Sequence, residues 1–551
     1  MKELRPKLWD TLKGYSAKQL GKDVVSGIIV AIIALPLSIA LAIASGVGPA
    51  QGLYTAIIAG FFIAVFGGSR VQIGGPTAAF VTIIYGVVTT YGTDGLIIAT
   101  IMAGIILVIM GICHFGSLIK YIPYTITCGF TCGIAVTLFA GQLKEFFGFE
   151  GSAPSEFLDK LIFYAKNITN INWVALAIGA VAMLILIFWP RVTDKIPASL
   201  VAIIVTTVIV YFANLDETCG VRTITGVYGE ISRKLPTISI PNVDFATVKS
   251  LIQPAFTIAI LAGIESLLSA VVADGMIGDK HRSNAELIGQ GLGNIFSGLF
   301  GGIPATGAIA RTAANVKNGG RTPIAGVVHC VTLLLILVVL MPLAGLIPLA
   351  TLSAVLLNVA WNMADWHAFG RLLKRAPKSD ILVLLATFLL TVFFDLVIAI
   401  GVGVVLASIL FMKRMADTAE INKWKYIDDP DITPGEAEKL ESIPHTIRVF
   451  EINGPLFFAA SEELVRIHAG NRTKVIVVRM RAVPAIDASA MRMLRDLADR
   501  AKKKNIQLIF SHVNEQPLAV MEKDGFIEYV GEEYFHNNIM EALDHAYQLV
   551  K

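Results

Sequence analysis

One carboxylate stands alone in a long apolar stretch. It is Glu265, within Ala262-Gly263-Ile264-Glu265-Ser266-Leu267-Leu268-Ser269. Charge is expensive to hold in such surroundings, so an ionisable group there is usually either paired or used. Ser269 follows one helical turn later on the same face. The carboxyl, stripped of water, can take up and release a proton near neutrality. With Ser269 and the carbonyls of a broken helix it can instead coordinate sodium. Its third use is a purely structural ion pair with Arg311, which lies in Ala308-Ile309-Ala310-Arg311-Thr312. A role with a coupling ion is the favoured reading. Arg311 is a fixed positive charge that can attract an anion, compensate Glu265 or reach for the membrane surface.

Two Gly/Pro breaks carry the second piece of chemistry. They read Gly74-Gly75-Pro76-Thr77-Ala78 and Gly302-Ile303-Pro304-Ala305-Thr306-Gly307-Ala308. A helix starting inside a membrane leaves its first N–H groups unpaired and gathers about half a positive charge there. Unsatisfied donors in hydrocarbon cost several kcal/mol each, so two such tips meeting at the midplane would hold a small anion. Proline in the first turn loses nothing, because its missing N–H would be unpaired anyway. The expected anion residues are Gly75, Thr77, Ala78, Thr306, Gly307, Ala308 and Arg311, with Thr77 and Thr306 adding hydroxyls. Backbone donors accept any small oxyanion, so the residues do not name the solute. A plain proline kink is the alternative for either break alone, and the matched pair favours a site.

These residues need a membrane domain to position them. Apolar runs of spanning length begin near Val24, Gly52, Leu96, Tyr124, Trp173, Ile196, Ala255, Ile324 and Ile381, and shorter ones follow Gly74, Glu286, Pro304, Ile347 and Val397. About 20 apolar residues cross the hydrocarbon, and shorter runs suit broken helices. The count is fourteen segments in 24–412. Pro76 and Pro304 are 228 positions apart, and Pro123 and Pro348 are 225 apart. Nearly equal offsets predict two repeats of seven spans, and an odd number inverts the second repeat in the membrane. The basic first 22 residues, and basic loops that include Arg371, Lys374, Arg375 and Lys378, predict cytoplasmic termini.

Charge then divides the chain. Of its 87 Asp, Glu, Lys and Arg residues, 39 lie in 415–551. Hydrophobic residues make up 55% and the mean hydropathy is +0.68. A soluble enzyme, a nucleic-acid binder and a disordered chain are excluded. The expected domains are a cytoplasmic segment 1–22, a transport domain 23–414, a polar linker 415–440 and a soluble α/β domain 441–551. In the last, strands at Thr446–Ile452, Lys474–Met480 and Ile506–Ser511 alternate with helices at Ser461–Ala469, Ala488–Lys503 and Glu515–Asp524. Asp487 reads as a helix cap and Ser489 as an exposed first-turn residue that would tolerate phosphate. The five cysteines and nine histidines form no metal-ligand spacing, and no triad or Walker loop is visible. Asp395 and the pairs Lys144/Glu145 and Asp274/Asp279 are expected at loops and solvated helix ends.

Gly52-Leu53-Tyr54-Thr55, Phe66-Gly67-Gly68-Ser69-Arg70 and Gly74-Gly75-Pro76-Thr77-Ala78 resemble the signature of the SulP anion permeases. Arg311 to Gly319-Gly320-Arg321-Thr322, and Asp395-Leu396 with Gly401-Val402-Gly403, resemble later stretches of that family. The tail is similar to a STAS domain, with Asp487-Ala488-Ser489 at its Asp-Ser-Ser loop. The resemblance implies an all-α polytopic domain with a seven-plus-seven inverted repeat. Spans 1–4 and 8–11 would form a moving core and spans 5–7 and 12–14 a gate, with a cytoplasmic STAS domain behind them. It implies a homodimer in the cell membrane, no cofactor and an elevator-like motion. The anion would sit between the starts of spans 3 and 10, at Thr77, Ala78, Gly307 and Ala308. Glu265 falls where the family often has the acidic residue tied to proton or sodium coupling. A sodium-coupled bicarbonate branch has Asp and Thr where this chain has Glu265 and Ser269, which favours protons. The implied function is proton-coupled transport of sulfate, bicarbonate or a dicarboxylate. Sodium-coupled bicarbonate symport and an uncoupled anion channel or exchanger are the alternatives. Ala488 and Ala490 depart from the STAS loop pattern, which leaves regulation at Ser489 and a cytoplasmic partner of the tail open.

Overall fold

The computed structural model describes residues 2–117, 122–151, 153–154, 156–193, 196–229, 236–238, 241, 244–394, 396–418, 420–423, 443–458 and 472–551. Asp395, the linker motif at 428–435 and the expected helix 461–469 lie outside the described residues. The chain forms two compact units, Met1–Val404 and Val405–Lys551.

In the first unit the helices run α1 (Ala17–Ala44), α2 (Pro49–Phe66), α3 (Val81–Ile112), α4 (Tyr124–Phe147), α5 (Phe157–Lys166), α6 (Trp173–Phe188) and α7 (Ala198–Phe212). A second series follows as α8 (Ile252–Ile277), α9 (Ser283–Leu299), α10 (Ile309–Lys317), α11 (Ile324–Gly345), α12 (Leu349–Met363), α13 (Trp366–Arg375), α14 (Lys378–Phe393) and α15 (Leu396–Asp417), the last of which continues past Val404 into the second unit. Gly92, at φ 70° and ψ −174°, divides α3 into segments 81–91 and 93–112. A side chain would resist that backbone shape. With α5, α13 and the short helices Leu8–Thr11, Leu215–Cys219, Ile224–Tyr228 and Phe245–Ser250 set aside, the described helices form fourteen segments in two series of seven. Seven described helices are long and apolar enough to cross a membrane.

Packing partners exchange between the halves. The first helix, α1, packs on α11, as α8 packs on segment 93–112 of α3. Likewise α4 lies on α14, as α12 lies on α6. Helices α9 and α3 touch backbone to backbone, where a Cβ on either Gly104 or Gly291 would come 2.6 Å from the other's carbonyl oxygen. The contacts sort into a core bundle (α1, α2, α3, α8–α11) and a gate bundle (α4, α6, α7, α12, α14), which Gly403 of α15 joins against Thr387.

The breaks meet in the core. Strand β1 (Gly74–Gly75) pairs antiparallel with β2 (Thr306–Gly307), with Gly74 opposite Gly307 and Gly75 opposite Thr306. The helices that follow therefore leave the junction in opposite directions.

The second unit holds a sheet in the order β3 (Glu420–Lys423), β4 (Ile447–Asn453), β5 (Val475–Ala482), β6 (Gln507–Ser511), β7 (Phe535–His536). Pairing is parallel except for β3 on β4. Helix α16 (Ala488–Lys503) covers Phe450 and Ile452 on one face, and the C-terminal helix Ile539–Val550 covers Ile447 and Val449 on the other. Strand β3 falls in the stretch expected to be linker. Its four residues are too few to show alternation, and they gain structure by pairing with the edge of β4. Asp487 caps α16 as expected, accepting from the Ala490 N–H at 2.9 Å, whereas Ser489 is half-buried, not exposed.

Candidate functional site

Side chains from remote parts of the chain hold each break. At the first, the Ile73 N–H donates to Thr312 Oγ1 (3.1 Å) and Asn315 Nδ2 donates to the Val71 carbonyl (2.8 Å), both acceptor and donor lying on α10. Gln72 Nε2 reaches the Ser266 carbonyl of α8 (3.2 Å). At the second, Asn294 of α9 exchanges two hydrogen bonds with the backbone of Ala305, and Thr55 of α2 accepts from the Ile303 N–H (2.7 Å). Irregular backbone is tolerated at membrane depth where protein groups satisfy it in this way.

Around this junction Thr77 donates its hydroxyl to Glu265 Oε2 at 2.9 Å. Glu265 is half-buried. Thr77, Ala78 and Ala308 retain 7–8% exposure, against 0% for Thr306, so those three border open space. Arg311 is 3% exposed and donates through Nη2 to the Pro76 carbonyl at 3.0 Å. Its Nη1 is buried without a hydrogen-bond partner and lies against Gly75, where any side chain would run into it. A carboxylate, a threonine hydroxyl and a guanidinium thus surround Pro76 and Thr77 at the start of α3.

Several expected residues have other duties. Thr306 donates its hydroxyl to the Ala262 carbonyl (2.8 Å), so it is tied to α8 and does not point at a solute. The Ala308 N–H bonds the Ile73 carbonyl (2.9 Å), which leaves the donors one residue further along as the free end of α10. Gly307 packs directly on Gln72. Ser269 donates to Gln72 Oε1 (3.1 Å) and does not meet Glu265. Glu265 and Arg311 form no ion pair within 4 Å; they flank Pro76–Thr77. The expected solvated ends are paired: Asp279 with Lys7 (3.0 Å) and Arg70 (3.5 Å), Asp274 with His281 (2.7 Å), and Glu145 with Arg222 (2.6 Å) and Lys144 (3.4 Å).

Sequence reasoning passed over the polar staples. Glu286 is 0% exposed and accepts from the Gly68 and Ser69 N–H groups, the Ser266 hydroxyl and Gln290. Asp23, also 0% exposed, accepts from Tyr15, Gln19, the Arg321 N–H and Thr322. The available signal was polar residues inside apolar runs: Gln72, Glu286, Gln290 and Asn294.

Residues 20–387 match the Sulfate permease family, and residues 437–543 match the STAS domain. The chain belongs to the sulfate permease family. This permease is 39% identical over 532 residues to the putative sulfate transporter YvdB of Bacillus subtilis, covering 96% of this chain and 98% of that one. It is 34% identical over 503 residues to the bicarbonate transporter BicA of a Picosynechococcus species, covering 88% and 87%. The solved transmembrane domain of a cyanobacterial BicA matches at TM-score 0.63 and 30% identity, over 71% of this chain and 98% of that domain. The structure of SLC26A9 matches at TM-score 0.87 and 18% identity, over 99% and 93%, a likeness of fold. The sulfate permease family consists of membrane transporters, and this member is a multi-pass transporter rather than an enzyme.

Proposed function

We propose that this permease is a secondary active transporter of a small oxyanion, coupled to protons through Glu265. One observation carries the reading: Arg311, almost fully buried in the core bundle, keeps Nη1 unpartnered beside the first break. A buried donor on a cation is costly to leave unmade, and an oxyanion at Thr77 and Ala78 would satisfy it. The free end of α10 adds its positive dipole end to the same place. The solute would be sulfate, bicarbonate or a dicarboxylate, and the likeness to YvdB and BicA favours the first two.

A proton suits Glu265 better than sodium. Sodium would need several oxygens around the carboxylate, and Ser269 is engaged by Gln72. A proton needs only a carboxyl with access to water, and Glu265 is half-buried with one hydrogen bond from Thr77. Protonation would remove a negative charge from beside the solute, linking the two binding events. Both breaks belong to the core bundle, so movement of that bundle against the gate would carry the site between the membrane faces. In this reading the protein is a homodimer in the cell membrane with both termini in the cytoplasm. The STAS domain then offers a cytoplasmic docking surface, with Ser489 as its regulated residue.

Proteoliposome uptake tests the proposal. An imposed proton gradient should drive accumulation of sulfate or bicarbonate in the wild type, and Glu265→Gln should abolish the response to that gradient. Unchanged pH-driven uptake in the variant would refute the coupling role. Accumulation that follows sodium instead would replace the proton. Competition among sulfate, bicarbonate, nitrate, chloride, fumarate and succinate names the solute.

A further inference from the structure

Two cavities meet at one lysine on the membrane face opposite the chain's start, the face reached by counting five crossings from α1 to the end of α4. Lys160 lies on α5, the loop helix after that crossing, and is half-buried. Its Nζ is 5.9 Å from the centre of the Tyr85 ring, whose hydroxyl is fixed by donation to the Ala153 carbonyl (3.2 Å). Among the described residues no carboxylate pairs with Lys160. Burial lowers its pKa from the ordinary lysine value, a sign that the ammonium has lost water without gaining a counter-ion.

A cavity of about 220 Å³ opens between α3, α4 and α5, and one of about 190 Å³ lies beside it toward α14. Lys160, Thr82 and Thr137 line both. Thr137 spends its proton on the Ile134 carbonyl, which leaves Thr82 as the hydroxyl donor. Thr82 stands one helical turn beyond Ala78, at the border of the proposed oxyanion site. Two acidic residues also line these cavities. Glu145 is neutralised by Arg222 and Lys144, and Glu156 faces water one turn before Lys160.

We infer that Lys160 and Thr82 form an outer capture site for an oxyanion, one helical turn short of the transport site. The inference rests on the oxyanion reading above. Its ligand is a small anion with oxygens that accept from an ammonium and a hydroxyl. The site straddles the bundles, with Thr82 on the core and Thr137 on the gate. Movement of the core would therefore take it apart and release the captured anion.

The full-length protein tests this in two ways. In whole-cell uptake, Lys160→Gln should raise the KM for influx about tenfold with kcat nearly unchanged, and Lys160→Arg should restore it. In a Cys113→Ser/Cys219→Ser background, Glu156→Cys, which lines the same cavity and leaves Lys160 and Thr82 in place, should react with a charged methanethiosulfonate reagent, and sulfate or bicarbonate should slow that reaction several-fold. Wild-type KM in the Gln variant, or labelling indifferent to both anions, would overturn the capture site. A wild type that transports no oxyanion would defeat the proposed function alone, because anion protection of the cysteine is read without transport.

Discussion

Two glutamates sit inside the core bundle twenty-one positions apart and are treated in opposite ways. Glu286 is sealed from solvent and accepts from two backbone N–H groups, a serine and a glutamine. Glu265 is half-buried and accepts from one threonine. Every donor that Glu286 satisfies would be orphaned without it, so its charge is structural. Glu265 holds one hydroxyl, so the change of charge proposed for it would disturb little else. Asp23 belongs with Glu286, with four donors knitting the start of α1 to the loop after α10. The lesson is that a buried carboxylate is classified by how many donors depend on it.

The sharpest way to break this comparison is to exchange the expectations. Glu286→Ala should cost about 3–5 kcal/mol, because it strands buried donors as well as removing a charge, and should yield little monodisperse protein in detergent. A variant that melts like the wild type would remove the distinction. Glu265→Gln should melt within about 1 kcal/mol of the wild type, while its pH-driven uptake falls about a hundredfold. Arg311→Lys sharpens the picture on the anion side. A lysine is a point charge without a second planar nitrogen, so it cannot serve the Pro76 carbonyl and a solute in the same geometry. Its uptake KM should rise about tenfold with folding retained. The smallest effect lies in the STAS unit, where His536 and His545 share a hydrogen bond at 3.0 Å. Burial, then the neighbouring His545, holds the His536 pKa below 6.5. The folded form thus binds a proton less readily than the unfolded one. The contribution is complete above about pH 6.5 and is lost as pH falls, so the melting temperature of the STAS unit should drift down in acid, and His545→Gln should flatten the drift.

Local signals were legible in the chain. Asp487 announced its cap, α16 begins at Ala488 and ends at Lys503 as periodicity predicts, and the two Gly/Pro breaks marked the junction. Glu265 was conspicuous because nothing near it in sequence shares its charge. The partners of the breaks were not legible. Thr312 and Asn315 serve Ile73 and Val71 from 239 and 244 positions away, and hydropathy carries no trace of such pairing. Thr306 misled for the same reason: a hydroxyl near a break can serve a solute or a neighbouring helix, and only the fold puts Ala262 within reach. Lys160 passed unnoticed because a lysine on a short amphipathic helix ordinarily faces water.

The reciprocal stapling of the breaks sets a timetable for biogenesis. The first half enters the membrane with the polar backbone at Val71 and Ile73 uncovered, and the groups that cover it have not yet been made. At about 5–20 residues per second, the ribosome needs roughly 12–50 seconds to supply Thr312 and Asn315. Until then the nascent protein must shelter that stretch with water, lipid headgroups or an insertion chaperone.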